Sequence, residues 1–219
     1  MKLTPLHKRL PADILDLGSP YPLVLTRGYA VQAHGLVERF SRDLHVATET
    51  PAPMDKIVAS LTAGLNARGW RTTHVHTDPL SGRFLVTNPD TGEECEVDVL
   101  KEAFWAPPAQ TPYGPVLSLD DVIGTKDRAL ADRGTVRDLI DVQAASRHRS
   151  TADLESLGRR RAHDEFRLED LRDRLIGADR HEDEDYAAYG LTARQIEELK
   201  AWALEWAEDL GARIHDDNA

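Results

Sequence analysis

Cysteine is almost absent: Cys95 stands alone in 219 residues. That excludes an internal disulfide framework and a cysteine-ligated zinc cluster, and it is ordinary for a reducing cytoplasm. No apolar run approaches the roughly 18 residues of a membrane-spanning helix. The basic N-terminus is broken by Pro5, Pro11, Asp13 and Asp16, which makes it a poor secretory leader. Internal repeats and low-complexity tracts are also lacking. Basic charge is short, since 27 Lys and Arg face 38 Asp and Glu for a net charge of -11. Such a balance argues against a surface that grips nucleic acid or anionic lipid throughout, and restricts contacts of that kind to local patches. The deficit is uneven: residues 151–219 hold 19 acidic and 10 basic side chains, net -9, which leaves -2 for residues 1–150. What remains is a soluble cytoplasmic chain, 41% hydrophobic, able to bury one good core with a helical appendage or two small lobes.

Hydrophobic periodicity divides the chain into a mixed half and a helical half. Helices are expected at 3–17, 29–35 and 53–68, and strands at 23–26, 42–48, 70–77, 83–87 and 94–100. Asn88 to Gly92 supplies a turn between the last two strands. Residues 106–115 contain four prolines and read as an extended loop that separates the sheet from the helical half. Beyond it, helices are expected at 118–133, 135–147, 151–162, 164–177, 182–189 and 192–214. Thr192 and Gln195 form a capping box for the last. Its apolar seam of Ile196, Leu199, Ala203, Trp206 and Leu210 is expected to pack within the helical lobe. The fold class is therefore α+β: a mixed-sheet lobe at 1–105, a Pro-rich connection at 106–117, and an all-helical lobe at 118–219.

Three places carry candidate chemistry. The strand at 23–26 runs directly into Arg27-Gly28 and a small-residue helix, a strand-turn-helix junction that exposes backbone N–H groups suited to phosphate. In the strand at 42–48, alternation puts Asp43 and His45 on one face. In the strand Glu94-Cys95-Glu96-Val97-Asp98-Val99 it puts Glu94, Glu96 and Asp98 on one face. On an exposed edge these carboxylates form a solvated face; burying Asp98, nearest the apolar end, requires a cation. If the two strands pair, Asp43, His45 and Asp98 converge into a site for a divalent metal. A phosphate-cradling turn, Ser41, Asp43 and a later acid form the layout of metal-dependent nucleotidyl transfer, in which metal ions bridge phosphates and neutralise developing charge.

The stretch LTRGYAVQAHGLVERFSRDLHVATE at 25–49 resembles the N-terminal motif of the AbiEii/AbiGii-type, MenT-like nucleotidyltransferase toxins, a branch of the DNA polymerase β-like superfamily. EVDVLK at 96–101 resembles that family's third-acid strand, and GTKDRALADRGTVRDLIDV at 124–142 its helical Lys and Arg-Asp-x-x-Asp signature. The three blocks, in order, reach from the first strand to about residue 147. The resemblance implies a polymerase β-like catalytic lobe, a helical second lobe, and transfer of a nucleotide from a nucleoside triphosphate, in some members onto the 3′ end of tRNA. It also implies Mg²⁺ or Mn²⁺ and a possible cognate antitoxin.

By the same resemblance Ser41, with Arg27 and Gly28, sits at nucleotide phosphate, and Asp43 and Asp98 match metal-binding acids. Lys126 matches the lysine that contacts triphosphate. Only six lysines stand beside 21 arginines, and a compact ammonium fits a phosphate where a guanidinium fork does not. Either Asp138 or Asp141 matches the last acid, with Asp141 preferred; Arg137 with Asp141 also reads as an ordinary i,i+4 surface pair. Two positions depart from the family pattern. Arg27 replaces a glycine, and either blocks backbone approach to phosphate or adds a guanidinium to it. His45 replaces the second metal aspartate, and imidazole suits Mn²⁺ better than Mg²⁺. An alternative is therefore a weakened or inactive member acting as a nucleotide-sensing or protein-binding module. The run Arg159-Arg160-Arg161 is the one local basic stretch in the acidic lobe; it suits an RNA backbone or, as a helix surface, plain solvation.

Overall fold

The computed structural model describes residues 5–39, 41–162 and 166–217. The chain divides into two compact units, with the boundary between Leu119 and Asp120.

The first unit is built on a seven-stranded mixed sheet. Its elements are α1 (Pro5–Leu17), β1 (Val24–Leu25), α2 (Arg27–Ala33), β2 (Leu44–Thr48), α3 (Met54–Ala67), β3 (Arg71–Thr77), β4 (Ser81–Thr87), β5 (Glu94–Lys101), β6 (Ala109–Thr111) and β7 (Gly114–Val116). The strand order is β3-β4-β5-β2-β1-β7-β6. Alternation works as expected in β4 and β5: Phe84, Val86, Cys95, Val97 and Val99 are buried. The inward row of α3, Ile57, Val58, Leu61 and Leu65, is buried as well, and this helix packs on α1, β3 and β4. The first and third helices are also tied by charge. Asp13 of α1 accepts from Arg68 and from Trp70 Nε1, each at 2.8 Å.

The expected loop at 106–115 instead contains a hairpin. β6 and β7 pair with each other, and β7 adds parallel to β1 through Leu25 and Val116. Gly114, at φ +105°, makes the tight turn that its prolines only partly signal. The turn at Asn88 to Gly92 is as expected, closed by Gly92 N–H donating to the Asn88 carbonyl at 2.8 Å.

The second unit is helical: α4 (Leu119–Arg133), α5 (Val136–Ala145), α6 (Thr151–Ala162), α7 (Leu168–Ile176), α8 (Asp183–Ala187) and α9 (Ala193–Asp217), with a 3-10 turn at Gly177–Arg180. The expected start of the fourth of these, at residues 164–165, lies outside the described residues. The Thr192 and Gln195 capping box is formed, with Thr192 N–H donating to Gln195 Oε1 at 2.9 Å. Ile196, Leu199, Ala203, Trp206 and Leu210 are all buried, and α9 packs on α5, α7 and α8. Two glycines let α4 and α6 approach closely. A Cβ on Gly124 would stand 2.5 Å from the Leu157 carbonyl oxygen, and one on Gly158 would stand 2.3 Å from Asp127 Oδ2.

Candidate active site

At the strand-to-helix junction Thr26 is extended, with φ -134°, and Arg27 takes φ +52°. Arg27 thus adopts the left-handed conformation that glycine enters freely and a residue with a Cβ enters at a cost of about 1–2 kcal/mol. Its side chain is exposed, while Gly28 and Tyr29 behind it are buried. The Thr26 amide donates to the His45 carbonyl at 3.0 Å, which ties the junction to β2. The Thr26 hydroxyl is buried and has no hydrogen-bond partner among the described residues. Ser41 is also buried, and its hydroxyl donates to the Asp43 carbonyl at 2.9 Å. In this arrangement Ser41 fixes the backbone that carries Asp43.

β2 and β5 do pair, in parallel, and His45 stands opposite Asp98. His45 Nε2 lies 2.9 Å from Asp98 Oδ2. A third residue completes the group. Arg83, facing Asp98 across β4 and β5, donates through Nε to Oδ1 at 2.7 Å and through Nη2 to Oδ2 at 2.9 Å. Its Nη1 reaches Glu96 Oε1 at 2.9 Å. Arg83 is the cation that burial of Asp98 requires, since Asp98 is only 5% exposed. Burial alone would push the Asp98 carboxyl up, but the hydrogen bonds from His45 and Arg83 outweigh it and hold the carboxyl down at about 2. Glu96 shares this guanidinium, whereas Glu94 at the strand start is exposed. On the opposite face, burial pushes the Cys95 thiol up to about 12, leaving it protonated and inert.

The divalent ion implied by the resemblance can be tested against these donors. The Asp43 carboxylate accepts no hydrogen bond from another described residue. His45 Nδ1 is buried and has no partner among the described residues. A carboxylate on the bend that leads into β2, and an orphaned ring nitrogen two residues later within that strand, are donors that suit a divalent ion. Both oxygens of Asp98, in contrast, are occupied by protein cations. Among the described residues no three His, Cys, Asp or Glu side chains are gathered as a ready ligand set.

In the helical unit Lys126 Nζ lies 2.8 Å from Asp141 Oδ2, with the two side chains 8% and 0% exposed. Asp138 does something different. Thr135 caps α5, accepting from the Asp138 amide and donating to Asp138 Oδ2 at 2.7 Å, and Arg133 Nη2 donates to Oδ1 at 2.8 Å. Burial works against this carboxylate, but the bonds from Arg133 and Thr135 hold its pKa below the ordinary value. The arrangement therefore separates the two acids of the Arg-Asp-x-x-Asp segment, one at a helix cap and one on the lysine. Arg161 turns inward to Asp121 at 2.7 Å, which leaves Arg159 and Arg160 as the exposed part of the basic run.

Arg83 and Thr26 escaped the sequence reading. Arg83 could have been found by counting away from the Asn88 turn: Thr87 pairs with Glu94, and four steps each way bring Arg83 opposite Asp98. Thr26 has no comparable signal.

Among solved structures, JHP933 from Helicobacter pylori superposes with a TM-score of 0.59 at 20% identity, covering 99% of this chain and 98% of that one. MenT4, a nucleotidyltransferase toxin from Mycobacterium tuberculosis H37Rv, gives a TM-score of 0.60 at 17% identity, covering 90% and 81%. At these identities the likeness shows the fold. None of the curated proteins matches the sequence. Residues 28–213 match the family described as "Nucleotidyl transferase AbiEii toxin, Type IV TA system". That span takes in Asp43, His45, Asp98, Lys126 and Asp141, and the chain belongs to this family of nucleotidyltransferase toxins.

Proposed function

We propose that the chain transfers a nucleotide from a nucleoside triphosphate to an RNA acceptor, the 3′ end of a tRNA. The observation that carries this reading is the placement of His45 in β2, two residues after Asp43 and in register with Asp98, beside a strand-turn-helix junction held in the left-handed bend by Arg27. Membership of a toxin–antitoxin family implies a triphosphate substrate and an antitoxin counterpart.

In the reaction the acceptor 3′ oxygen bonds to the α-phosphorus and gives up its proton to solvent water. The bond from that phosphorus to the bridging oxygen breaks, and pyrophosphate leaves. Asp43 and His45 would hold a divalent ion, which supplies Lewis-acid neutralisation of the triphosphate oxygens when bound. Ser41 keeps the Asp43 backbone in place, and the Arg27 guanidinium with the amides of the junction meets phosphate. In the helical unit Lys126, paired with Asp141, is a compact positive charge of the kind that suits a triphosphate.

The test is incubation with each labelled nucleoside triphosphate, Mg²⁺ or Mn²⁺, and total tRNA. Incorporation of α-phosphate label that is abolished by Asp43→Ala is the expected result. No incorporation under either metal, together with no metal-dependent nucleotide binding, overturns the reading. The departures at Arg27 and His45 favour a second reading, a relative that binds nucleotide or protein without turnover. It predicts that Arg27→Gly combined with His45→Asp gains activity over an inactive parent.

A further inference from the structure

The group around Asp98 assigns its members unequal roles. A carboxylate is an acceptor only, so the 2.9 Å contact to Asp98 Oδ2 makes His45 Nε2 the donor. With Nε2 engaged by Asp98, Nδ1 is the ring atom left to meet a ligand, and it is the one that is buried without a partner among the described residues. Both oxygens of Asp98 are already engaged, since Arg83 donates to each in a bidentate pair and His45 shares Oδ2. Carboxylates that orient a histidine through one ring nitrogen while the other meets a metal are a recurring device, and losing the carboxylate weakens metal binding about 10- to 100-fold.

We propose that in this chain Asp98 is a positioning residue and not a metal ligand: anchored by Arg83, it fixes His45 so that Nδ1, with the Asp43 carboxylate, takes the ion. The ion selected is one that accepts imidazole nitrogen, Mn²⁺ in preference to the oxygen-demanding Mg²⁺. This inference rests on the nucleotidyltransferase reading. It goes beyond that reading in naming the ligating atom, the metal preference and the function of Arg83.

Electron paramagnetic resonance of Mn²⁺ bound with inorganic tripolyphosphate, a probe without nitrogen, tests it on the unaltered chain. The expected result is a ¹⁴N hyperfine coupling from imidazole, absent in His45→Ala, with Mn²⁺ bound at least 10-fold more tightly than Mg²⁺. Asp98→Ala is expected to weaken Mn²⁺ about 10- to 100-fold. Asp98→Asn, whose amide oxygen still accepts from Nε2, retains most of the affinity and the nitrogen coupling. A bound ion without nitrogen coupling, or loss of the ion in Asp98→Asn equal to that in Asp98→Ala, overturns the inference and leaves the nucleotidyltransferase reading standing. If the chain takes up neither Mn²⁺ nor any of the four ribonucleoside triphosphates, both fall together.

Discussion

Lys126 and Asp141 form an ion pair between α4 and α5, 2.8 Å long and almost fully buried. Removing one partner of a buried pair deprives the second of a countercharge in a poorly solvated place. Asp141→Leu is expected to lower the unfolding free energy by about 3–5 kcal/mol. Adding Lys126→Met restores much of that loss, while nucleotide incorporation stays abolished. Urea denaturation of the three variants reads the first effect, and α-label transfer reads the second.

Asp127 is the buried acid of the helical unit with no cation: its two oxygens have no hydrogen-bond partner among the described residues. Asp121, Asp138, Asp141 and Glu155 are each paired, with Arg161, Arg133, Lys126 and Arg213. Burial pushes the Asp127 carboxyl from 3.8 up to about 8, with the Glu155 charge adding to it. The folded chain therefore holds a proton that the unfolded chain releases. This contribution to stability is complete below pH 3.8 and is lost as the pH rises through about 8. Asp127→Asn removes the dependence, so its advantage over the parent grows across that window by about 1.4 kcal/mol per pH unit. Denaturation midpoints at pH 5, 6.5 and 8 measure it; a gap that stays constant with pH contradicts the protonated assignment.

Arg27 carries a backbone cost and a charge at the same position. Arg27→Gly relieves the left-handed strain, a gain of about 1 kcal/mol partly offset by glycine's greater freedom in the unfolded chain. A higher melting temperature combined with weaker triphosphate binding is expected. A higher melting temperature with tighter binding would mean that the side chain obstructs phosphate.

Gly158→Ala brings a methyl group against Asp127 and against the Phe166 ring, 2.7 Å from its Cε2. Overpacking of this kind costs about 1–3 kcal/mol. Gly124→Ala is expected to cost more than Gly158→Ala, because the atom it meets is the backbone carbonyl of Leu157 rather than side chains. Thermal melts rank the two.

Local patterns were legible in the sequence where one element decides the outcome. Alternation in β5 put Asp98 with Glu96 and away from Val97, and the Thr192 and Gln195 spacing marked the start of α9. The pairing of His45 with Asp98 needed two distant strands to meet, which the carboxylate pattern suggested but could not fix. The β6–β7 hairpin was hidden by its prolines, since a ladder of three residues on each strand asks little of backbone N–H groups and tolerates Pro115. The roles of Asp138 and Asp141 were not separable on the helix alone. They part because Thr135 and Arg133 claim the first, while the second meets a lysine from another helix. Asp127, beside Lys126 in sequence, carries no mark of its isolation; its surroundings come from Gly158 and Phe166.

The same register that pairs His45 with Asp98 also pairs Val46 with Val99 and Leu44 with Val97. A slip of one residue would set Leu44 or Val46 opposite Asp98 and turn valines toward the charged face. Assembly of the site is thereby proofread by the hydrophobic interior, and a chain that has packed its sheet correctly has also aligned its polar group. Conservative changes at Val46 or Val99 would then surface as a loosened contact between His45 and Asp98 before they surface as losses of fold.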